Sequence, residues 1–344
     1  MTRQEFGTAA SSQPAPAKGV SVVIPVYKAR MCLIDAIDSA YEQGLNPNEF
    51  EIIVFDDKYP AGDVTAEAEH KRVFKELQRR CKAEPEKYAN LRILNSDPEG
   101  LNHGQSAARN AAMQVARFPF IACLDADDMY VFDPEYLKDK GSYLKRAMDI
   151  LARHPEIAFV DCNFYMFGAY TKDVNLEVLN ATLLNQCIAD DRIMSVKAIF
   201  RKDDAFNEYM QGFDTGLKCG EDSYFFLKFM QTRMKRGLGI DALLLPEPYY
   251  LYRQHLPGAT NVSQSTITHE QLKLESRIAR ECASYISGYK RALQNAAQPS
   301  RTILEKEYPQ SGFIEQLKFN WRGVRLHPSV KKPDLAAMSI DYRF

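Results

Sequence analysis

Apolar runs that end in acidic or polar residues alternate with helical segments along the first part of the chain, and this alternation most constrains the fold. VSVVIPVY (20–27) is rich in β-branched residues, and EIIVFDD (51–57) is a second apolar run that ends in two aspartates. Continuous apolar runs of this length are typical of parallel strands buried on both faces of a sheet. Helical patterns follow both runs, so the sequence predicts an α/β fold with a mostly parallel, doubly wound sheet.

The predicted strands bring their polar ends to one edge of the sheet. In open α/β sheets, ligands bind beyond the carboxyl ends of the strands. The strand PFIACLD (119–125) ends in acid, as EIIVFDD does. The paired aspartates after EIIVFDD either accept hydrogen bonds from a base or ribose, or start a loop as an Asx turn. We therefore expect a ligand site at this edge, formed by Tyr27, Asp56, Asp57, Asp125 and Asp127.

Asp125 and Asp127 stand one residue apart at the end of a predicted strand. In an extended turn, this spacing lets both carboxylates approach one bound species. Oxygen ligands favour Mg²⁺ or Mn²⁺, which also accept substrate phosphates and waters. The pair therefore predicts a divalent cation that holds a diphosphate. The alternative is a solvated turn in which Asp128 caps a helix.

Two later segments add groups that suit anion binding and proton transfer. NHGQSAARN (102–110) places Gly104 and small residues at a helix start, with Arg109 one turn further on. Helix-start N–H groups favour an anion, and arginine can clamp a phosphate or a base carbonyl; the alternative is close packing of the helix on the sheet. GFDTGLKCGED (212–222) leads to two acids at a helix N-terminus, where a carboxylate stays ionised and can act as a general base. N-capping would account for only one of those two acids.

These segments, together with LDADD and with YRQH followed by AT, resemble the ordered motif series of family 2 glycosyltransferases, which have the GT-A fold. The resemblance covers roughly residues 19–262. It implies a GT-A catalytic domain over 19–262, with a C-terminal helical extension at 263–344. Residues 1–18, rich in Ala, Ser, Pro and Gln, predict a disordered tail.

The resemblance implies an inverting, metal-dependent transfer of a sugar from a nucleotide sugar, usually a UDP-sugar, to a hydroxyl group. On the donor side, the resemblance implies which residues contact the nucleotide sugar and the metal ion. Pro25 and Tyr27 flank the uracil ring, Asp57 accepts its N3–H, Arg109 reaches the base or diphosphate, Asp125 binds the ribose, and Asp127 and His255 approach the Mn²⁺ or Mg²⁺ ion. On the acceptor side, Asp222 is the general base and Glu221 orients the acceptor, with a reversal of these two roles left open.

The chain also departs from the family pattern. Lys28 stands where the family often has Asn, and KYPAGD follows the paired aspartates in place of Gly-Ser. No QxxRW-type signature follows the catalytic acids, which favours addition of a single sugar.

Two other functions are alternatives to sugar transfer. A sugar-phosphate nucleotidyltransferase would need a glycine-rich loop after the first strand, where this chain has PVYKARMCLIDA, and a non-catalytic sugar-binding descendant would have lost some of the acids.

Composition limits the partners and the compartment. The formal net charge is -1, which predicts no nucleic-acid partner, and the 7 cysteines include no CxxC pair, which favours reduced thiols in the cytoplasm. The acceptor is expected to be a glycan or lipid-linked glycan of surface polysaccharide synthesis. An amphipathic basic segment at 313–332 predicts either peripheral contact with the inner face of the membrane, or docking on the catalytic domain or on a second copy in a homo-oligomer.

Overall fold

We describe the fold from a computed structural model. The described residues are 18–95, 103–168, 172–174, 197–203, 206–207, 212–218 and 220–254, with a few isolated positions between 273 and 306. The first elements are β1 (Val20–Val26), α1 (Cys32–Tyr41), β2 (Phe50–Asp56), α2 (Val64–Ala83), β3 (Leu91–Asn95), α3 (Gln105–Gln114) and β4 (Phe120–Cys123). The later elements are β5 (Met129–Tyr130), α4 (Pro134–Lys140), α5 (Tyr143–Arg153), β6 (Ile157–Gly168), β7 (Lys172–Val174), β8 (Ile199–Arg201), α6 (Glu221–Lys235) and β9 (Asp241–Gln254).

One sheet contains all of these strands, in the order β3-β2-β1-β4-β8-β6-β9-β5, with β7 paired to β6. Strands β1 to β4 are parallel to one another, and β8 is antiparallel to both β4 and β6. Strand β6 therefore runs in the direction of β4, and β9 is parallel to β6. The carboxyl ends of β1, β2, β4, β6 and β9 consequently lie at the same edge, which confirms the predicted mostly parallel α/β fold.

Alternate residues of the central strands pack on opposite layers of helices. All seven residues of β1 are buried; Val22 packs in the core cluster that includes α1, α2 and α5. Val23 packs in the cluster that includes α3 and α6. Because successive strand side chains point to opposite faces, this division requires helices on both sides of the sheet. The continuous apolar runs of the sequence therefore did indicate a doubly wound sheet.

The segment PEYLKDKGSYLKRAMDILARHP (134–155) has the sequence pattern of one helix that begins at Pro134 and stops before Pro155, but this prediction is wrong. The structure has two helices, α4 and α5, and Gly141 separates them with a φ of +75°. That conformation favours glycine and ends a helix. Ser142 then starts α5 by accepting a hydrogen bond from the backbone N–H of Lys145.

The segment ALLLPEPYYLYRQH (242–255) contains two prolines, which predicts a strand at the edge of the sheet, and this prediction is also wrong. Strand β9 lies between β6 and β5. Its prolines fit there because the register between β6 and β9 shifts on both sides of Asn163, which pairs with Pro248, and Pro246 lies within the first shift. The Asn163 side-chain amide donates to the Pro246 carbonyl at 2.7 Å, so the irregularity is hydrogen-bonded. Bulges are one of the few places where a sheet interior accepts proline.

Isolated residues of the predicted C-terminal extension contact α6. Glu281 bonds to the Tyr224 hydroxyl, lies 3.4 Å from Lys228 Nζ, and accepts the Gln231 side-chain amide on its main-chain oxygen at 2.9 Å. Leu274 lies against Gly220, the residue before α6. The N-terminal tail through residue 17 and the 313–332 segment lie outside the described residues. No helix of the described part is long and apolar enough to cross a membrane.

We expect Glu281→Ala to lower the free energy of unfolding by about 1–3 kcal/mol, because Tyr224 and Lys228 lose a charged hydrogen-bond partner. Thermal unfolding measures this change. Glu135→Ala, which removes an exposed carboxylate from α4, is the matched control and should leave the midpoint nearly unchanged. Equal midpoints for the two variants would contradict a docked position of Glu281.

Candidate functional site

The end of β2 is joined to the start of α3 through Asp57. Its two carboxylate oxygens accept the backbone N–H groups of His103 at 3.1 Å and Gly104 at 3.0 Å. Burial raises the pKa of Asp57, although these two hydrogen bonds oppose the rise. Each carboxylate oxygen has a second lone pair, so the group can still accept from a ligand. Its contact with uracil stays a prediction.

Asp56 is used within the protein. Its Oδ1 accepts the backbone N–H of Lys58 at 2.9 Å and lies 3.2 Å from His70 Nε2, and its Oδ2 accepts Lys58 Nζ at 3.2 Å. Burial disfavours the charged form, but the hydrogen bond from His70 and the nearby positive charges hold the pKa of Asp56 below its usual value. The bond to Lys58 is an Asx turn, so the structural alternative holds for Asp56.

The rim beside β1 carries an exposed aromatic ring and two lysines with left-handed backbone conformations. Pro25 is buried within β1, whereas Tyr27 keeps 40% of its surface exposed. Lys28 and Lys58 have φ values of 54° and 64°, and the Lys28 N–H donates to the Lys58 carbonyl at 2.8 Å. Left-handed conformations cost a non-glycine residue of order 1 kcal/mol. These are the positions at which the sequence departs from the family pattern.

The turn after β4 presents three aspartates in different environments. Asp125 Oδ1 accepts Gln105 Nε2 at 3.1 Å and Arg109 Nη2 at 2.7 Å, and the Asp125 side chain keeps 20% of its surface exposed. Asp127 is partly exposed, and its main-chain oxygen accepts Arg253 Nε at 2.6 Å. This acidic turn, residues 125–128, is therefore held by α3 on one side and by β9 on the other.

Asp128 does not cap a helix, so that alternative for the acidic turn is wrong. Asp133 caps α4, whereas Asp128 is buried and accepts the Tyr250 hydroxyl at 2.8 Å and the Arg253 N–H at 2.7 Å. Burial, followed by the charges of Asp127 and Asp125, raises the pKa of Asp128 well above its usual value. A cation beside this turn would relieve the mutual repulsion of the carboxylates.

Arg109 joins the acidic turn to the start of α6. Its guanidinium is 1% exposed and donates to Asp125 Oδ1 at 2.7 Å and to Glu221 Oε1 at 3.1 Å. Its Nε is buried without a hydrogen-bond partner among the described residues. Burial lowers the pKa of Arg109, but the charges of Asp125 and Glu221 outweigh it and the pKa lies above its usual value. Its contact with a nucleotide stays a prediction.

Asn110, the neighbour of Arg109, fixes the loop that leads to α6. Its side-chain amide donates to the Phe213 carbonyl at 2.8 Å, and its oxygen accepts the Phe213 N–H at 2.7 Å. Gly212 has a φ of +83° and would place any Cβ against the Asn110 side chain. Glycine is therefore required where the loop passes α3. Four residues of this region were not predicted from the sequence, namely Asn110, Phe213, Gln105 and Arg253.

The two acids at the start of α6 have different surroundings. Glu221 is paired with Arg109, whereas Asp222 is buried and accepts the backbone N–H of Ser223 at 2.8 Å. Burial, followed by the charge of Glu221, raises the pKa of Asp222 to about 7. A carboxylate with a pKa near neutrality can accept a proton at physiological pH and is basic enough to do so efficiently.

The described residues fit a cation held jointly by protein and substrate, but not a cation enclosed by protein alone. They contain no cluster of three metal-binding side chains. Mg²⁺ and Mn²⁺ commonly take one or two carboxylates with substrate phosphates and waters, and Asp127 offers such a carboxylate. His255 lies outside the described residues, although β9 ends at Gln254 after Arg253 contacts the acidic turn.

Comparisons with known proteins identify a family and relatives to which this chain is similar. The model of the glycosyl transferase family 2 matches residues 21–152. The minor teichoic acid biosynthesis protein GgaB of Bacillus subtilis (strain 168) is 24% identical over 252 residues, which cover 70% of this chain and 23% of GgaB. The uncharacterized glycosyltransferase EpsJ of the same strain is 23% identical over 266 residues, which cover 74% of this chain and 66% of EpsJ.

A solved structure supports the fold. The crystal structure of S. aureus TarS superposes with a TM-score of 0.51 and 20% identity, covering 76% of this chain and 39% of TarS. The chain thus spans about a quarter of the length of GgaB and less than half that of TarS. Residues 21–152 are thus similar to glycosyl transferase family 2, and the mixed α/β sheet has the fold of the GT-A glycosyltransferase TarS.

Proposed function

We propose that this protein transfers a sugar from a nucleotide-sugar donor, preferably a UDP-sugar, to a hydroxyl of a glycan or lipid-linked glycan. The observation that carries the proposal is the meeting of the acidic turn and the α6 acids around Arg109, at the edge where open α/β sheets bind ligands. The family match supports the reaction class. The name of GgaB, a teichoic acid biosynthesis protein, supports an acceptor in surface-polymer synthesis.

On the donor side, Tyr27 offers an exposed ring on which a base can stack. Asp57 lies beside β1 at the end of β2, and its carboxylate is suited to a base N–H. Asp125 uses Oδ1 for Gln105 and Arg109, which leaves Oδ2 for a ribose hydroxyl. Asp127, together with His255, would hold a divalent cation, which when bound supplies positive charge to the departing diphosphate.

On the acceptor side, Asp222 accepts the proton of the acceptor hydroxyl. The acceptor oxygen forms a bond to the anomeric carbon from the face opposite the nucleotide, and the bond from that carbon to the diphosphate oxygen breaks. The configuration inverts, and the nucleoside diphosphate leaves with the electron pair. Because Glu221 is paired with Arg109 and Asp222 has the raised pKa, we assign the base to Asp222 and acceptor orientation to Glu221.

The test is nucleotide release from a panel of UDP-, GDP- and dTDP-sugars, with Mn²⁺ or with EDTA. We expect slow hydrolysis of one UDP-sugar that stops when EDTA removes the metal. Calorimetry of UDP with Mn²⁺ provides a second readout that needs no acceptor. Failure of every nucleotide to bind would overturn the proposal, and release of pyrophosphate from a nucleoside triphosphate would favour a nucleotidyltransferase instead.

The pH dependence of the reaction tests the assigned base. A base must be deprotonated, so we expect kcat/KM to rise with pH through about 7 and to level off above it. Glu221→Gln removes a negative charge beside Asp222 and should move this rise to lower pH. A profile of Glu221→Gln identical to that of the wild type would contradict Asp222 as the titrating group.

A further inference from the structure

The guanidinium of Arg109 pairs with two acids that the proposed mechanism places on opposite sides of the reaction. Asp125 follows β4 and belongs to the donor side, and Glu221 begins α6 and belongs to the acceptor side. Arg109 of α3 donates one guanidinium nitrogen to each, at 2.7 Å and 3.1 Å. The two contacts form what we call the Arg109 bridge. The positions of the two carboxylates are therefore coupled through a single rigid, planar group.

Stability alone does not account for this arrangement. Taking charges out of water is costly, and replacing a buried ion cluster with apolar side chains is often neutral or stabilising. The guanidinium is almost fully buried, yet its Nε has no partner among the described residues. A buried donor without a partner costs energy in addition. What the bridge does provide is a fixed distance between Asp125 and Glu221.

The residue after Arg109 reinforces the same connection. Asn110 makes two hydrogen bonds to the backbone of Phe213, and the Phe213 ring lies 5.3 Å from the Arg109 guanidinium carbon. Successive residues of α3 therefore hold both the loop before α6 and the first residue of α6. This doubled connection leaves α6 little freedom to move relative to the donor side.

We propose that Arg109 is a positioning residue that aligns the acceptor-side acids with the donor through the Arg109 bridge. The inference rests on the proposed function and deepens it. Arg109 acts through Asp125 and Glu221 rather than by contact with the reacting atoms. Each of these acids keeps its second oxygen for a ligand. A lysine at position 109 would retain the charge but, as a point charge, could not hold both acids in the same geometry.

The test compares Arg109→Lys and Arg109→Gln with the wild type in two assays. We expect kcat for hydrolysis of the UDP-sugar selected by the panel to fall at least tenfold in Arg109→Lys and further in Arg109→Gln. The Kd of UDP with Mn²⁺, measured by calorimetry, should change less than threefold in Arg109→Lys. A large rise in this Kd with an unchanged kcat would show direct nucleotide binding by Arg109 and would overturn the positioning role.

Arg201→Gln is the control for the loss of a partly buried arginine outside the site. Arg201 donates to the carbonyls of Ile157 and His154, each at 2.7 Å, away from the acids. We expect this variant to melt at a lower temperature but to keep the wild-type kcat and Kd. If Arg201→Gln lost as much kcat as the Arg109 variants, the effect of the Arg109 variants would be due to general destabilisation, and the inference would be overturned.

A substrate-free measurement tests the bridge even where the proposed function fails. In thermal unfolding, the double variant Arg109→Lys with Glu221→Gln should lose less than the sum of the two single losses, because both changes break the same contact. Additive losses would mean that the two residues are uncoupled and would overturn the bridge. If the wild type bound no nucleotide while the losses stayed non-additive, the proposed function would fail and the bridge would stand without its assigned role.

Discussion

Replacing Asp222 by Asn is expected to reduce the rate of sugar transfer by about 10²–10⁴-fold, the usual contribution of a general base. The amide keeps the size of the side chain but cannot accept the acceptor proton. Its burial and the neighbouring Glu221 raise the pKa of Asp222 to about 7, so the carboxylate is both available and basic at neutral pH. Binding of UDP with Mn²⁺ should change little, because the donor contacts lie elsewhere.

Glu221→Gln is the matched variant for this experiment. It removes the adjacent carboxylate, which is paired with Arg109 at 3.1 Å, and we expect a smaller loss of rate. Initial rates at saturating donor, together with calorimetry of UDP, separate the two residues. A larger loss in Glu221→Gln than in Asp222→Asn would reverse the assigned roles, and full activity of Asp222→Asn would exclude it as the base.

Replacing Asp127 by Ala is expected to reduce donor hydrolysis and transfer by about a hundredfold or more. A bound cation stabilises the charge of a leaving diphosphate by several kcal/mol, and each step of about 1.4 kcal/mol is tenfold in rate. The variant should also lose most of the difference between assays with Mn²⁺ and with EDTA. Asp128 cannot replace it, because its side chain is buried.

Asp139→Ala is the control for loss of an aspartate outside the site. Asp139 lies on α4, its side chain is 71% exposed, and its carboxylate pairs with Lys140 at 3.0 Å. We expect wild-type activity and wild-type metal dependence. A response to Mn²⁺ that survives in Asp127→Ala would place the cation on other residues and would contradict the proposed ligand.

The elements of the first half were predictable because their signals are local. The apolar runs of β1 and β2 and the short strand at 91–95 are continuous in sequence, and the structure has strands there. The errors arose where tertiary contacts decide. Gly141 divides one helical pattern into two helices, and β9 is interior although proline favours an edge. Its prolines are accommodated by a bulge in the pairing with β6. No local sequence pattern predicts this bulge.

The candidate site was predictable as a set of residues but not as a set of contacts. Acids at strand ends and at a helix start indicated Asp57, Asp125, Asp127 and the pair at 221–222. Nothing in the sequence indicated that Arg109 would bind acids on both sides of the site, or that His70 would contact Asp56. Such pairings join residues that are far apart along the chain.

The sequence by itself determined the order of the strands and helices and the chemical character of the sheet edge, because hydrophobic periodicity and strand ends are properties of neighbouring residues. The tertiary structure decided which carboxylates are buried and which are paired with a positive charge. Those properties depend on desolvation and on charges a few ångströms away, and both are set only when α3, α6 and β9 meet at the acidic turn.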